Sequence, residues 1–191
     1  TGITTGLTQG FSIQLSQYYG AKDFENLRKS LAHSYRLTTF IAAGVLIFSQ
    51  FFAPLVLTGL HTPSNIIGMS LLYLRIIFCG IPATAAYNMF ASALRAMGNS
   101  KTPLNAMIIA SVLNVSLDIL FVAGFGWGVA GAAVATVIAQ SFSAVYCFLI
   151  LRKIDIVHLT KADFMPSSGM NARLMKLGIP VVFQNIIIGV G

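Results

Sequence analysis

Two residues one helical turn apart, Asn114 and Asp118, carry the clearest chemical signal in the chain. Asp118 is the sole charged residue in the fifty positions from 102 to 151. Four-residue spacing puts both side chains on one face of a helix. A carboxylate beside an amide oxygen supplies hard oxygen ligands, which suit a small cation or a proton. Aspartate is too short to reach water from deep inside an apolar run. Acids in such places are costly and commonly mark ion paths. The competing reading is an Asp hydrogen-bonded to neighbouring helices only to hold packing.

Other candidates carry less. Gly126-Trp-Gly128-Val-Ala-Gly131 matches the dinucleotide fingerprint GxGxxG, but that motif follows a strand and needs an acid ~20 residues on. Here an apolar helix precedes it and position 151 is Leu, so a tight turn between two spans is the reading. Asn114-Val-Ser116 matches a glycosylation acceptor but lies within a span. His33, His61 and His158 fall in or beside loops without ligand spacing, and are read as solvated or interfacial. Cys79 and Cys147 lie in different apolar runs, with no disulfide or metal spacing, and are read as small core residues. Arg75 lies inside a long span and is read as snorkelling to the outer headgroups. An enzyme would need paired acids, a His cluster or a nucleophile with its base. The spans offer none of these, so the chain is not read as an enzyme and no cofactor is expected.

The elements that must position Asp118 are membrane helices. Hydrophobic residues make up 56% of the chain and charged residues 9%, against roughly 25% charged in soluble domains. Mean hydropathy is +0.80. A bilayer core takes ~20 apolar residues per helix, and its backbone groups must bond within the segment. The net charge of +7 would suggest nucleic acid in a soluble protein. Its distribution excludes that: Lys and Arg gather at 22–36, 95–101 and 152–176, between apolar runs.

The predicted spans are 1–19, 34–57, 64–95, 102–124 and 128–151, with a last one from Leu174. Gly2, Gly6 and Gly10 form a small-xxx-small stripe that lets helices approach closely. Gly20 ends the first helix, and residues 20–33 are a basic loop. Pro82 should bend its helix, and Pro103 should open the next. Thr160 and Asp163 have capping-box spacing for a short interfacial helix. Basic loops at 20–36, 95–101 and 152–176 alternate with turns lacking Lys and Arg at 58–65 and 124–131. The positive-inside rule makes the former cytoplasmic and the latter external. The fold class is therefore all-α, a polytopic transmembrane bundle in the lipid bilayer.

Several segments together resemble the multidrug and toxic compound extrusion (MATE) family. They are Tyr18-Tyr-Gly-Ala-Lys-Asp23, Arg95-Ala-Met-Gly-Asn-Ser-Lys-Thr-Pro103, Asn114-Val-Ser-Leu-Asp118, Gly126-Trp-Gly-Val-Ala-Gly-Ala-Ala-Val-Ala-Thr136 and Lys176-Leu-Gly-Ile-Pro180. Their order and spacing cover the whole chain. The resemblance implies a twelve-helix transporter of two six-helix lobes. Residues 1–151 would be helix two to helix six of an incomplete amino lobe, 152–173 the cytoplasmic inter-lobe linker, and 174–191 the start of helix seven. The DinF-type branch fits best; there the first helix supplies another acid to the amino-lobe cation site. In that family's terms Asn114 and Asp118 match the helix-five pair, Thr136 a helix-six hydroxyl, and Tyr73 and Asn88 helix-four contributors. The implied function is secondary antiport of amphipathic, often cationic drugs or toxic metabolites against sodium or protons, in a bacterial inner membrane. The alternative within the superfamily is a lipid-linked oligosaccharide flippase. Its cationic cavity would have only Arg75 here.

Overall fold

The computed structural model describes residues 2–59, 66–157, 163 and 168–190. The helices are α1 (Gly2–Gly20), α2 (Phe24–Gly59), α3 (Ile67–Cys79), α4 (Ile81–Ala96), α5 (Lys101–Asp118), α6 (Gly128–Arg152) and α7 (Ser168–Val190). A π turn, Ile119–Gly124, continues α5, and a 3-10 turn, Asp155–Val157, follows α6. Four stretches are long and apolar enough to cross a bilayer: Phe24–Gly59, Ile67–Ala96, Lys101–Gly124 and Gly128–Arg152. Phe40 and Phe51 are 71% and 79% exposed. Water would penalise such faces, whereas lipid accepts them.

The basic segment 20–33 is not a loop. α1 does end at Gly20, but α2 begins at Phe24, so the connection is residues 21–23 with Lys22 in a left-handed turn (φ 56°). Asp23 explains the early start. Its Oδ1 accepts the Asn26 backbone N–H at 3.2 Å, and its Oδ2 accepts the Asn26 side-chain amide at 2.7 Å. One otherwise unpaired donor of the first helical turn is thereby satisfied. Glu25 then pairs with Lys29 at 2.6 Å, in the favoured order for i,i+4 ions.

Pro82 falls in the first turn of α4, where a one-residue break and not a loop interrupts the helical run. α3 and α4 are separated by Gly80 alone, whose backbone stays right-handed (φ −78°, ψ −11°) and whose N–H donates to Ile77 O at 2.9 Å. Pro82 has no N–H to offer the preceding turn. Gly80 is tight against α6: a Cβ there would stand 2.9 Å from Val137 Cγ2.

Residues 102–124 are not one regular α-helix, because the α pattern stops at Asp118 and gives way to the π turn. Beyond it, Gly126 (φ 68°) and Gly128 (φ 55°) hold the left-handed backbone that only glycine adopts freely. GxGxxG is thus a turn motif.

The core gathers Phe11 and Leu15 from α1, Leu27 and Leu31 from α2, Met89 and Leu94 from α4, Cys147 from α6 and Leu174 from α7. The stripe on α1 packs against α7. A Cβ at Gly6 would lie 2.8 Å from Val182 Cα, and one at Gly10 only 2.4 Å from Gly178 Cα. α7 starts at Ser168 rather than Leu174, because its first turns pack on the amino-terminal helices. There His33 is buried and its Nδ1 meets Asn171 Oδ1 at 2.8 Å, which corrects the expectation of a solvated His33. Cys147 is a core residue, but Cys79 is exposed, since α3 turns that face outward. His61, His158 and most of the turn at 58–65 lie outside the described residues. So does most of the Thr160–Asp163 segment, of which Asp163 is described and buried.

Candidate ion site between α5 and α6

α5 and α6 lie side by side, and the polar residues of both spans meet between them. The Asn114 amide nitrogen donates to Thr136 Oγ1 at 3.4 Å. The Thr136 hydroxyl in turn donates to Ala132 O, one turn back on its own helix, at 3.0 Å. That arrangement spends the nitrogen end of Asn114 on Thr136, so the oxygen end is the one suited to a cation. Asp118 lies one turn further along the same face. It is half-buried, and its Oδ1 is fully buried with no hydrogen-bond partner.

That oxygen is one of six buried side-chain polar atoms without a partner among the described residues, with Gln14 Oε1, Arg28 Nε and the hydroxyls of Ser30, Ser34 and Thr38. An Asp kept for packing would bond to its neighbours. A buried acceptor left unmade costs ~1–3 kcal/mol, and such groups in native structures call for an explanation such as an ion or water. Carboxylate, amide oxygen and hydroxyl are by type the oxygen donors that a hard cation takes, and a carboxylate can also hold a proton; the contact seen among the three residues is Asn114–Thr136.

Beside the pair is a cavity of about 280 Å³, lined by Tyr87, Ser111, Asn114, Thr136, Gln140 and Ser143 among others. Asp118 is beyond its lining, at the carboxy-terminal end of α5. The other two matched residues are placed differently. Asn88 donates to Thr5 Oγ1 on α1 at 3.2 Å. Tyr73 sits on α3 and is 36% exposed. Arg75, also on α3, is exposed, and its backbone carbonyl accepts from Gln50 at 3.0 Å. Sequence reasoning passed over Ser111 and Gln140. Their spacing was a usable signal: Ser111 is three residues before Asn114 and Gln140 four after Thr136, the helical neighbours of the chosen residues. The π turn had no such signal.

Residues 1–120 match the MatE family model. Probable multidrug resistance protein YpnP of Bacillus subtilis (strain 168) is 34% identical over 183 residues, which is 96% of this chain and 41% of that protein. Multidrug export protein MepA of Staphylococcus saprophyticus is 24% identical over 182 residues, 95% of this chain and 40% of that one. An inward-facing multidrug resistance MATE family transporter of the MOP superfamily superposes with a TM-score of 0.90 at 25% identity, over 96% of this chain and 42% of its own. MATE in its bent conformation superposes with a TM-score of 0.93 at 23% identity, over 99% and 43%. The chain thus spans less than half the length of these relatives. Four bilayer-length apolar stretches and a family match over most of its residues lead to one conclusion: this multi-pass membrane protein belongs to the MatE family.

Proposed function

We propose that the protein works in secondary active multidrug efflux, exporting amphipathic or cationic compounds in exchange for sodium ions or protons. Asp118 is the coupling acid, with Asn114 and Thr136 as co-ligands. The observation that carries the reading is the buried, unpartnered Asp118 Oδ1 beside the Asn114–Thr136 pair. The relatives named as multidrug resistance and export proteins support the substrate class. The carboxylate is the group whose charge either ion must neutralise, so an inward gradient can be felt there. Asp118→Asn keeps size and hydrogen bonding while removing the charge. In vesicles carrying the full-length protein, with sodium and pH gradients varied separately, this variant should bind drug yet fail to export it. Export at the wild-type rate would reduce Asp118 to a packing residue.

A further inference from the structure

We propose that Gly131 is a positioning residue for Asp118, acting through the π turn; this rests on the coupling reading above. Asp118 is the last residue of α5, and Ile119–Gly124 then run as π-helix. Bonds of i→i+5 take one more residue per turn than α bonds. Side chains after Asp118 are therefore rotated off the face that Asn114 and Asp118 share. π turns are rare and occur disproportionately at functional sites. Something in the packing must select this one.

Gly131 is that selector. It lies inside α6 with ordinary helical backbone, where glycine destabilises relative to alanine. Space, not conformational freedom, is what requires it. A Cβ at 131 would stand 3.0 Å from Phe121 Cβ, 3.1 Å from Trp127 Cβ and 3.2 Å from the Phe121 carbonyl carbon. Each of these is backbone or bonded directly to it, so none can swing aside. The turn is closed over this seat by the Phe125 N–H donating to Leu120 O and the Trp127 N–H to Phe121 O, both at 2.9 Å. The Phe121 and Trp127 rings stack there with centroids 5.2 Å apart.

Asp118 is thus bracketed. Asn114–Thr136 joins α5 to α6 four residues before it, and Phe121–Gly131 joins the same helices three residues after it. Two fixed points on either side set the direction of the carboxylate. Filling the seat with a methyl group makes the Phe121 backbone give by a few tenths of an ångström, a shift that the turn passes on to Asp118. Groups that orient a ligating side chain through hydrogen bonds change ion affinity by ~10–100-fold, and a displaced turn acting on Asp118 is expected at the lower end of that range.

The test is sodium binding by the purified full-length protein in detergent, measured by calorimetry on wild type, Gly131→Ala, Gly44→Ala and Asp118→Asn. Gly44 is the control, since nothing lies within 4 Å of a Cβ there. Gly131→Ala should weaken binding about tenfold or more, Gly44→Ala should match wild type, and Asp118→Asn should abolish binding. Wild-type affinity in Gly131→Ala, with binding lost in Asp118→Asn, overturns the seat and leaves the coupling reading standing. Wild-type affinity in Asp118→Asn overturns both. If the wild type gives no sodium response, the probe becomes the infrared carboxylic C=O band that vanishes in Asp118→Asn. A shift of that band in Gly131→Ala but not in Gly44→Ala supports the seat, and an unmoved band refutes it. If Gly131→Ala does not fold, hydrogen exchange on the wild type decides. Loading the site with sodium, or with protons by lowering the pH, should slow amides 119–125 more than 105–113, and equal rates refute the seat.

Discussion

Replacing Gly10 by alanine tests the tightest glycine contact among the described residues. The new Cβ would stand 2.4 Å from Gly178 Cα, 2.8 Å from Gly178 N and 2.8 Å from Leu177 O. All three are backbone atoms, so no side chain can yield. Ordinary contact begins at 3.4 Å; the shortfall is 3.4 − 2.4, or 1.0 Å, and α1 and α7 must part by about that much. A gap of ~0.5–1 Å forfeits a quarter to a half of the dispersion energy across it, and overpacking of a dense core costs ~1–3 kcal/mol. With three backbone contacts the upper end applies. Alanine returns ~1 kcal/mol of helix propensity, leaving a net loss of about 2 kcal/mol. At ~2–4 °C per kcal/mol for a chain of this size, Gly10→Ala should melt roughly 4–8 °C below wild type in detergent. Gly20→Ala, with nothing within 4 Å of its Cβ, should melt at or above wild type. The reasoning is refuted if Gly10→Ala melts with wild type, or if Gly20→Ala falls as far.

His33→Ala strands the Asn171 amide that now meets His33 Nδ1 at 2.8 Å; Asn171 is only half-buried, so the loss should be near the ~1 kcal/mol of an ordinary hydrogen bond. A melting point equal to wild type would show that the bond contributes nothing. Asp23→Ala removes the α2 cap. The hydrogen bonds from the Asn26 side chain and backbone hold the Asp23 carboxyl below its ordinary range, so its contribution is present above the unfolded value, ~3.9, and is lost as pH falls through the folded one. The melting difference between Asp23→Ala and wild type should therefore shrink on acidification below pH ~4, and a difference that grows instead would contradict the sign. A single cysteine at Phe125 in the full-length protein should react with an impermeant thiol reagent from outside and one at Asn99 should not; the reverse would invert the topology.

The membrane class and the four central apolar spans were legible because they follow from hydropathy and covalent geometry. Composition alone says that 102–151 cannot face water, and proline lacks an N–H wherever it sits. The start of α2 was not legible, because Lys22, Arg28 and Lys29 read as loop by charge, while Asp23 starts a helix through two local hydrogen bonds. His33 was misread for a related reason. Its position near the end of a span suggested water, and only the early start of α7 brings Asn171 over it. At the candidate site, Asn114 and Asp118 stood out as polar residues in an apolar run. That Asn114 spends its nitrogen on Thr136, and that Asp118 keeps a buried oxygen unspent, depends on how two helices pack. No periodicity encodes it.

The two helix pairs that matter most are built on opposite principles. Between α1 and α7 the backbones touch, and Gly6 and Gly10 leave no room for a methyl group. In lipid there is no hydrophobic drive to bring helices together, so close van der Waals packing of small residues must do it. α5 and α6 meet closely at Gly131, where the π turn seats, and are joined again by Asn114–Thr136 and by Ser143 donating to Ala106 O at 3.4 Å, yet beside these contacts they enclose a cavity. A void with an apolar lining would simply lose dispersion contacts. This one mixes apolar lining from Met107, Ala110 and Ala139 with Ser111, Asn114, Thr136, Gln140 and Ser143, polar groups of the kind that hold a buried water in place. Packing close enough to fix the helices, and loose enough beside Asn114 and Thr136 to leave a cavity, requires small residues and polar residues at different heights of α6. Gly131 and Thr136, five positions apart, meet that requirement on one helix.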